Sequence, residues 1–539
     1  MRLILKEYVS SLKEKDELDY LLCEIYAEKG YVADTVPKSG NRQYGVDIQM
    51  HNNDELIFFV VKQGSIDRRI WDSDINSIRP SLNEVKDVAI RLLTPADKQK
   101  RLTIIVATNG VMEESVKPNW SGYVSSNQNW DGISVNIQFL GIDGIVKDIQ
   151  SVLFNEYIFN TSMRSSLRKA LYFIDADVDY NPQYYEKILD NIILDNMQKA
   201  TNKTKQKKAW AIYYMISQMI AQYAHDAELN KVAIMVTEYA IVRYWKYLFE
   251  FDKFEKDADV ERLIKLIKRY LYWNRFYLLE AEQIANDEAD LPYYNMVEVK
   301  VILYEILGFL ASYASVSWTY DNKNTVQIIE VIIRLLNKYE YYKLPPYDVN
   351  ISTIIMILDL LNKTDQKDNL KSLMENILYS CIDSYRYLNL YPAPSDTFEE
   401  ALRISRREKE LEYQTSSFWG YFMMLIYKYK NKELYEVAKE FANIDLKNIC
   451  KCVWFLRKDE ESVFYEKAAM NNGGEGIEIN ACEEYKDFCE MLEFIIDHYK
   501  NEVFSFDIYG FSSLENIICR YYGYIPRIVI NQADSGEQN

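Results

Sequence analysis

The hydrophobic pattern of the chain changes once, near residue 158, and this change limits which folds are possible. Before it, short runs rich in β-branched and aromatic residues are bounded by turn residues, which is typical of strands. These runs are residues 31–36, 44–50, 56–62, 102–108 and 133–140. After it, apolar residues recur at i, i+3, i+4 and i+7, as in residues 260–281 and 304–318. That spacing predicts amphipathic helices.

The pattern predicts a multidomain protein of the α+β/α class. Residues 1–158 are expected to form an α/β domain, and nine of the 17 glycines lie there. Residues 159–530 are expected to form an all-α region of helical hairpins, arranged as a solenoid or as an irregular bundle. Residues 531–539 are expected to form a flexible tail.

Charge and histidine content narrow the chemistry. The formal net charge is −18, the wrong sign for a protein that coats nucleic acid non-specifically. Any nucleic-acid contact must therefore be a local groove. The three histidines are far apart in the sequence, which argues against histidine-rich zinc sites. The chemistry that remains is carboxylate chemistry.

The sequence predicts a cytoplasmic protein without a membrane span. Its seven cysteines are an odd number, which favours reduced thiols over a disulfide framework. The first twenty residues carry charges where a signal peptide needs an apolar segment. The most apolar window, residues 301–318, contains Glu305 and is expected to be a buried helix.

Asp47 and Lys62 are the best candidates for catalysis in the first domain. They belong to successive predicted strands and are fifteen residues apart, so we expect both at one edge of a small sheet. A carboxylate there can hold Mg²⁺ or Mn²⁺, which polarises a phosphate and activates bound water. A lysine can neutralise charge on the phosphorane. The alternative is that Asp47 caps a turn and Lys62 protects an edge strand from aggregation.

The same segments resemble the restriction-endonuclease-like, PD-(D/E)XK superfamily of nucleases. Residues 18–21, 29–31, 44–48 and 59–62 carry the resemblance. It implies a restriction-endonuclease-like fold with Asp47 and Lys62 as catalytic residues. It also implies a catalytic acid on the first helix, at Asp19 or Glu17. The implied metal ligands are Asp47, Asp19 and the backbone carbonyl of Val61.

The chain departs from the family pattern at Val60. Family members have Glu, Asp or Gln two residues before the lysine, so one expected metal ligand is missing. Asp47 and the Val61 carbonyl alone would bind Mg²⁺ weakly, because hard cations need several oxygen ligands. Compensation would have to come from the first helix or from three acids after the lysine. These are Asp67, Asp72 and Asp74.

Three arginines after Lys62 are candidate contacts to nucleic acid. Arg68, Arg69 and Arg79 lie near Trp71, and arginine beside an aromatic ring can grip phosphate and stack on bases. The alternative is an ordinary amphipathic helix whose arginines pair with neighbouring aspartates.

Two functions remain open at this stage. The first is a metal-dependent nuclease that cleaves DNA or RNA in bacterial antiphage defence, regulated by a helical region that senses a trigger, binds a protein partner or self-associates. Duplex cleavage would then require an oligomer, because each site of this kind cuts one strand. The second is a catalytically inactive, nuclease-like scaffold that binds a protein partner through its helical region.

Overall fold

A computed structural model describes most of the chain. The described residues are 2–35, 44–152, 161–175, 182–251, 253–254, 257–291, 295–320, 322–388, 390, 392, 397–406, 415–455, 457–465, 475–499 and 510–526. The chain divides into two compact units, residues 1–236 and residues 237–539.

A six-stranded mixed sheet forms the centre of the first unit, in the order β1-β2-β3-β4-β6-β5. The strands β3, β4 and β6 are parallel to one another, and the other neighbouring pairs are antiparallel. The five predicted strand runs are confirmed, and β5 is an additional short strand. The bounds are β1 Val32–Thr35, β2 Ile48–His51, β3 Glu55–Lys62, β4 Arg101–Thr108, β5 Asn129–Trp130 and β6 Ile133–Leu140.

Helices cover both faces of this sheet. The helices of the first unit are α1 Arg2–Ser11, α2 Asp19–Glu28, α3 Arg68–Asp72, α4 Ile78–Asp87, α5 Lys117–Ser126, α6 Ile142–Val152, α7 Thr161–Asp175, α8 Gln183–Asn191, α9 Lys203–Asp226 and the first part of α10, Asn230–Glu250. Short 3₁₀ segments occur at Ala89–Leu92 and Asp97–Gln99, and π-helical turns at Glu14–Leu18 and Ile192–Met197.

The central strand β3 is buried on both faces because it lies between two helical layers. Leu56, Phe58 and Val60 join a core with α3 and α4 that includes Trp71 and Leu82. On the other face, the ring of Phe59 lies edge-on to Tyr26 of α2, with 4.9 Å between the ring centroids. A strand buried in this way reads as a continuous apolar run, as residues 56–61 do.

The first unit extends beyond the predicted domain boundary. Residue 158, where we placed that boundary, lies outside the described residues. Helix α9 belongs to the first unit, and its Trp210 donates an indole N–H to the hydroxyl of Tyr20 in α2 at 3.2 Å. The α/β elements are therefore extended by further helices up to residue 236.

The second unit is mostly helical. It holds the rest of α10 and α11 Asp257–Ala285, α12 Met296–Tyr320, α13 Asn322–Lys338, α14 Ile351–Lys363, α15 Lys367–Leu388, α16 Phe398–Ser405, α17 Ser417–Lys428, α18 Lys432–Ile444, α19 Tyr485–Tyr499 and α20 Ser513–Tyr522. The 3₁₀ segments are Glu340–Lys343, Asp348–Asn350 and Lys458–Tyr465.

Among the described residues, helix α12 is the one helix long and apolar enough to cross a membrane. Its length and hydropathy match those of a membrane span, but 72% of its most apolar window is buried inside the protein. Core helices of folded domains have the same composition.

The second region is largely helical, as predicted, but it is not all-α. A three-stranded sheet in the order β7-β8-β9 lies within the second unit. Its strands are β7 Thr415–Ser416, β8 Cys450–Phe455 and β9 Glu475–Glu478. The sheet was missed because β7 and β9 are too short to show a period. The tail predicted at residues 531–539 lies outside the described residues.

Gly45 provides a test of the fold beside β2. Its φ is +77°, and an added Cβ would lie 2.3 Å from the Ser81 carbonyl oxygen of α4. We expect Gly45→Ala to destabilise the protein by more than the ~1–3 kcal/mol of backbone strain alone, measured by urea unfolding. The matched control is Gly30→Ala, since Gly30 also has a positive φ but has nothing within 4 Å of an added Cβ. Equal losses in both variants would contradict the close approach.

Candidate active site

The carboxyl edge of β3 brings together Asp47 and Lys62. The Asp47 N–H donates to the Phe59 carbonyl at 2.8 Å, which holds Asp47 against β3. Asp47 is the residue before β2, and Lys62 is the last residue of β3. The two groups are close enough for the ammonium to favour the ionised carboxylate.

The side chain of Asp47, and not a backbone carbonyl, accepts the hydrogen bond of the Val61 N–H. Its Oδ2 accepts the Val61 N–H at 2.7 Å. In an antiparallel ladder the N–H and C=O of one residue point to the same side, so the Val61 carbonyl also faces Asp47. The predicted metal donors Asp47 and Val61 therefore lie side by side.

Glu14 is the helix acid that reaches this edge. Its Oε1 lies 3.7 Å from the Lys62 Nζ, and its negative charge also acts on the Asp47 carboxyl. Glu14 was not among the predicted catalytic acids. It lies in the π-helical turn Glu14–Leu18, which stands between α1 and α2.

The two predicted helix acids have backbone partners instead. Glu17 Oε2 accepts the Lys13 N–H at 2.9 Å and so stabilises the start of the π-helical turn. Asp19 is buried, and its Oδ1 accepts the Tyr20 N–H at 2.6 Å. In the described contacts, neither carboxylate is paired with Lys62. A π turn contains an extra residue compared with an α turn, which changes the acid that faces the sheet.

A buried asparagine positions the Glu14 segment. Asn109 follows β4, and its Nδ2 donates to the carbonyls of Ser10 at 3.0 Å and Leu12 at 2.7 Å. Its Oδ1 accepts the Gly64 N–H at 2.6 Å. One side chain thus connects the end of α1 to the loop after Lys62. Asn109 was not among the predicted site residues, although its position directly after a buried strand was an available signal.

Burial governs the charge state of Asp47. Removal from water raises its pKa to about 6, and the Val61 hydrogen bond and Lys62 partly oppose this shift while Glu14 adds to it. A raised pKa from desolvation beside a specific charge partner is typical of functional sites, although structural ion pairs show it too.

Val60 is the residue at which the predicted nuclease pattern would require its second acid. Its side chain is fully buried in the core formed with α3 and α4. A carboxylate at this position would face apolar side chains. The missing acid is therefore a consequence of how β3 packs.

The three arginines predicted to contact nucleic acid differ in whether they are already engaged within the protein. Arg68 and Arg69 are exposed on α3, and within the described part of the chain no ion pair engages them. Arg79 is paired with Asp72 at 2.7 Å, as the alternative interpretation expected. Trp71 is buried and lies edge-on to Trp120 and Tyr123, so it is not available for stacking on a base.

The donor set determines which cofactor fits. Among the described residues, no cluster of three or more His, Cys, Asp or Glu side chains is placed to hold a metal ion. The available oxygens are those of Asp47, Glu14 and the Val61 carbonyl. Mg²⁺ is commonly bound by one or two carboxylates and keeps several waters, so these groups meet its minimum requirement.

Comparisons with protein-family models, with curated proteins and with solved structures found no match to this chain.

Replacement of Asp47 tests the electrostatics of the site. Because the pKa is higher in the folded protein than in the unfolded chain, ionisation of Asp47 costs stability as the pH rises from about 4 to about 6. We expect Asp47→Asn to raise the free energy of unfolding by about 1–3 kcal/mol above pH 6, and this difference to disappear below pH 4. Denaturant unfolding at several pH values measures it.

The control for this experiment is Asp54→Asn, in the exposed turn between β2 and β3, which we expect to be nearly neutral. An Asp47→Asn variant that is less stable than the original protein at pH 8 would contradict the electrostatic argument.

Val60→Glu tests whether the second-acid position is open to the site. A carboxylate buried in this core has its pKa raised by 3–5 units, so we expect a loss of about 4 kcal/mol or more at pH 8, measured by urea unfolding. Val60→Thr is the matched variant of similar shape and should lose less. A stable Val60→Glu protein that gains Mg²⁺ affinity would show that residue 60 faces the site.

Proposed function

We propose that the first unit is a metal-dependent phosphodiesterase that cleaves DNA or RNA. The observation that carries the proposal is the meeting of Glu14, Asp47 and Lys62 at the carboxyl edge of β3. These groups come from three separate elements: the π-helical turn, the residue before β2 and the end of β3. An arrangement of two acids and a lysine is the chemistry that phosphodiester hydrolysis needs.

The residues that would hold Mg²⁺ are Asp47, Glu14 and the carbonyl of Val61. When bound, the ion would polarise the scissile phosphate and lower the pKa of a coordinated water. Metal binding requires the ionised carboxylate. Because the pKa of Asp47 is about 6, the site is expected to lose metal as the pH falls below that value.

Glu14 and Lys62 have complementary roles in this proposal. Lys62 donates through Nζ to a non-bridging phosphate oxygen and neutralises charge that develops there. Glu14 orients the ammonium through the contact of Oε1 at 3.7 Å and would hold the ion with its other carboxylate oxygen, and the proton of the attacking water passes to solvent. Arg68 and Arg69 follow Lys62 closely in the sequence and can contact the phosphate backbone.

The wider role we propose is that of a cytoplasmic effector in bacterial antiphage defence. The net charge of −18 disfavours continuous binding to nucleic acid, so a regulated encounter at a local groove fits better. The helical second unit is proposed to bind the regulator or a second copy of the chain. Since one site cuts one strand, duplex cleavage would require a symmetric dimer.

A specific observation favours the scaffold as the second candidate. Val60 stabilises the core where the family pattern has an acid, and the described residues provide only two carboxylates near Lys62. A domain of this kind could keep the fold and serve only to bind a protein partner.

Cleavage assays distinguish these two candidates. We expect labelled DNA or RNA to be cut with Mg²⁺ or Mn²⁺, and Asp47→Asn, Lys62→Met and Glu14→Gln each to lower the rate by at least ~100-fold. Glu17→Gln is the matched control because the amide oxygen can still accept the Lys13 N–H; it should retain activity. The assay also compares single strands with duplexes.

Two results would change the proposal. Cutting that persists in Asp47→Asn would place the activity elsewhere. Absence of cutting under all conditions, including with neighbouring gene products added, would favour the scaffold.

A further inference from the structure

Two thiols of the second unit lie next to each other on strand β8. Cys450 and Cys452 are two residues apart, so their side chains share one face of the strand. Both are partly exposed. Lys451, between them, points to the other face and donates its Nζ to the Ile449 carbonyl at 2.9 Å. The strand therefore holds the two thiols side by side on one face.

The distance between the thiols is short. The two Sγ atoms are 3.1 Å apart, about 1 Å more than an S–S bond of ~2.05 Å. Two residues of a strand span about 6.6 Å between Cα atoms, which is near the upper end of the range of about 4.4–6.8 Å in disulfides. A bond between these sulfurs requires β8 to contract locally, because the Cβ atoms of a disulfide lie about 3.5–4.5 Å apart.

We propose that Cys450 and Cys452 form a reversible redox pair that peroxides oxidise to an intrastrand disulfide. In the first step, the Cys450 thiolate attacks the O–O bond of hydrogen peroxide, which gives a sulfenic acid and releases hydroxide. In the second step, the Cys452 sulfur attacks that sulfenic sulfur, forms the S–S bond and releases the second oxygen as water. Overall, two thiols lose two electrons and two protons, and one peroxide becomes two waters.

The environment assigns the order of the two cysteines. Burial and the neighbouring thiol raise the pKa of Cys452 to about 12, and the thiolate is the nucleophile in such reactions. Cys452 is therefore the resolving residue, which reacts once a sulfenic acid stands beside it. Cys450 is the residue that meets the oxidant.

Oxidation would be transmitted to helix α17. Cys450 lies opposite Thr415 in the β7–β8 pair. The next residue, Ser416, caps α17 by accepting the Trp419 N–H at 3.3 Å and donates to Asp348 at 2.7 Å. Because β7 consists of two residues only, contraction of β8 at Cys450 disturbs half of its pairing and loosens the helix start.

Intact mass and peptide mapping of the full chain test the pair. After treatment with hydrogen peroxide, we expect the loss of two hydrogen atoms, a disulfide-linked peptide that contains both cysteines, and reversal by dithiothreitol. This mapping requires no variant. A sulfenic-acid trap such as dimedone should label Cys450 in Cys452→Ser, and Cys452 should stay unlabelled in Cys450→Ser.

Two other partly exposed thiols of the same unit serve as controls. Cys482→Ser and Cys489→Ser should still form the disulfide, whereas Cys450→Ser and Cys452→Ser should not. No disulfide in the original protein, or one that maps to other cysteines, would overturn the proposal. Hydrogen exchange at the first turn of α17 should be faster in the oxidised protein, and unchanged exchange would refute transmission to the helix.

Discussion

The buried amide of Asn109 holds together the edge of the sheet on which the candidate site depends. It uses both of its polar ends: the amide nitrogen contacts the two carbonyls that end α1, and the oxygen accepts from the loop after Lys62. Asn109 is 3% exposed, and an unsatisfied buried amide would cost about 1–3 kcal/mol, roughly twice what one such bond contributes, so the three segments are fixed as a set. The chain after β4 can lie this close to the loop after Lys62 because Gly110 has no side chain. An added Cβ at Gly110 would lie 2.4 Å from the Gly64 backbone. Through this contact the fold, and not local helix geometry, decides that Glu14 lies beside Lys62.

Much of the first unit could be predicted because the hydrophobic pattern of each strand is visible in its own short stretch of sequence. The run at residues 56–61 is apolar at every position since β3 is buried on both faces, and its neighbours are bounded by turn residues. Strand ends then located Asp47 and Lys62 at one edge of the sheet. Glu14 could not be predicted in the same way, since an α-helical period of 3.6 residues assigns the facing position to other acids. The π turn that changes this assignment is closed by the Leu18 N–H bonded to the Lys13 carbonyl five residues earlier, a bond that an α-helical period does not contain.

The second unit shows where sequence periodicity stops being informative. Its long helices are strongly periodic, but β7 and β9 have two and four residues, and β8 includes a lysine in an otherwise apolar run. Such short strands are held by neighbours that are distant in sequence. Helix α17 packs closely against β8, since an added Cβ at Gly420 would lie 2.3 Å from the Cys452 carbonyl oxygen. The boundary between the units depends in the same way on distant pairs, such as Trp210 with Tyr20, which no window of sequence contains.

The absence of an acid at residue 60 has a consequence for how the proposed site would work. With valine there, β3 contributes to the core, and Asp47 and Glu14 repel each other without a third carboxylate beside them. Fewer carboxylates mean less repulsion in the free protein but also a weaker site for a hard cation. On the proposed function, the remaining oxygen ligands have to come from the phosphate of the substrate. Metal and nucleic acid would then bind together and neither would occupy the site tightly alone, which makes activity depend on delivery of the substrate to the edge of β3.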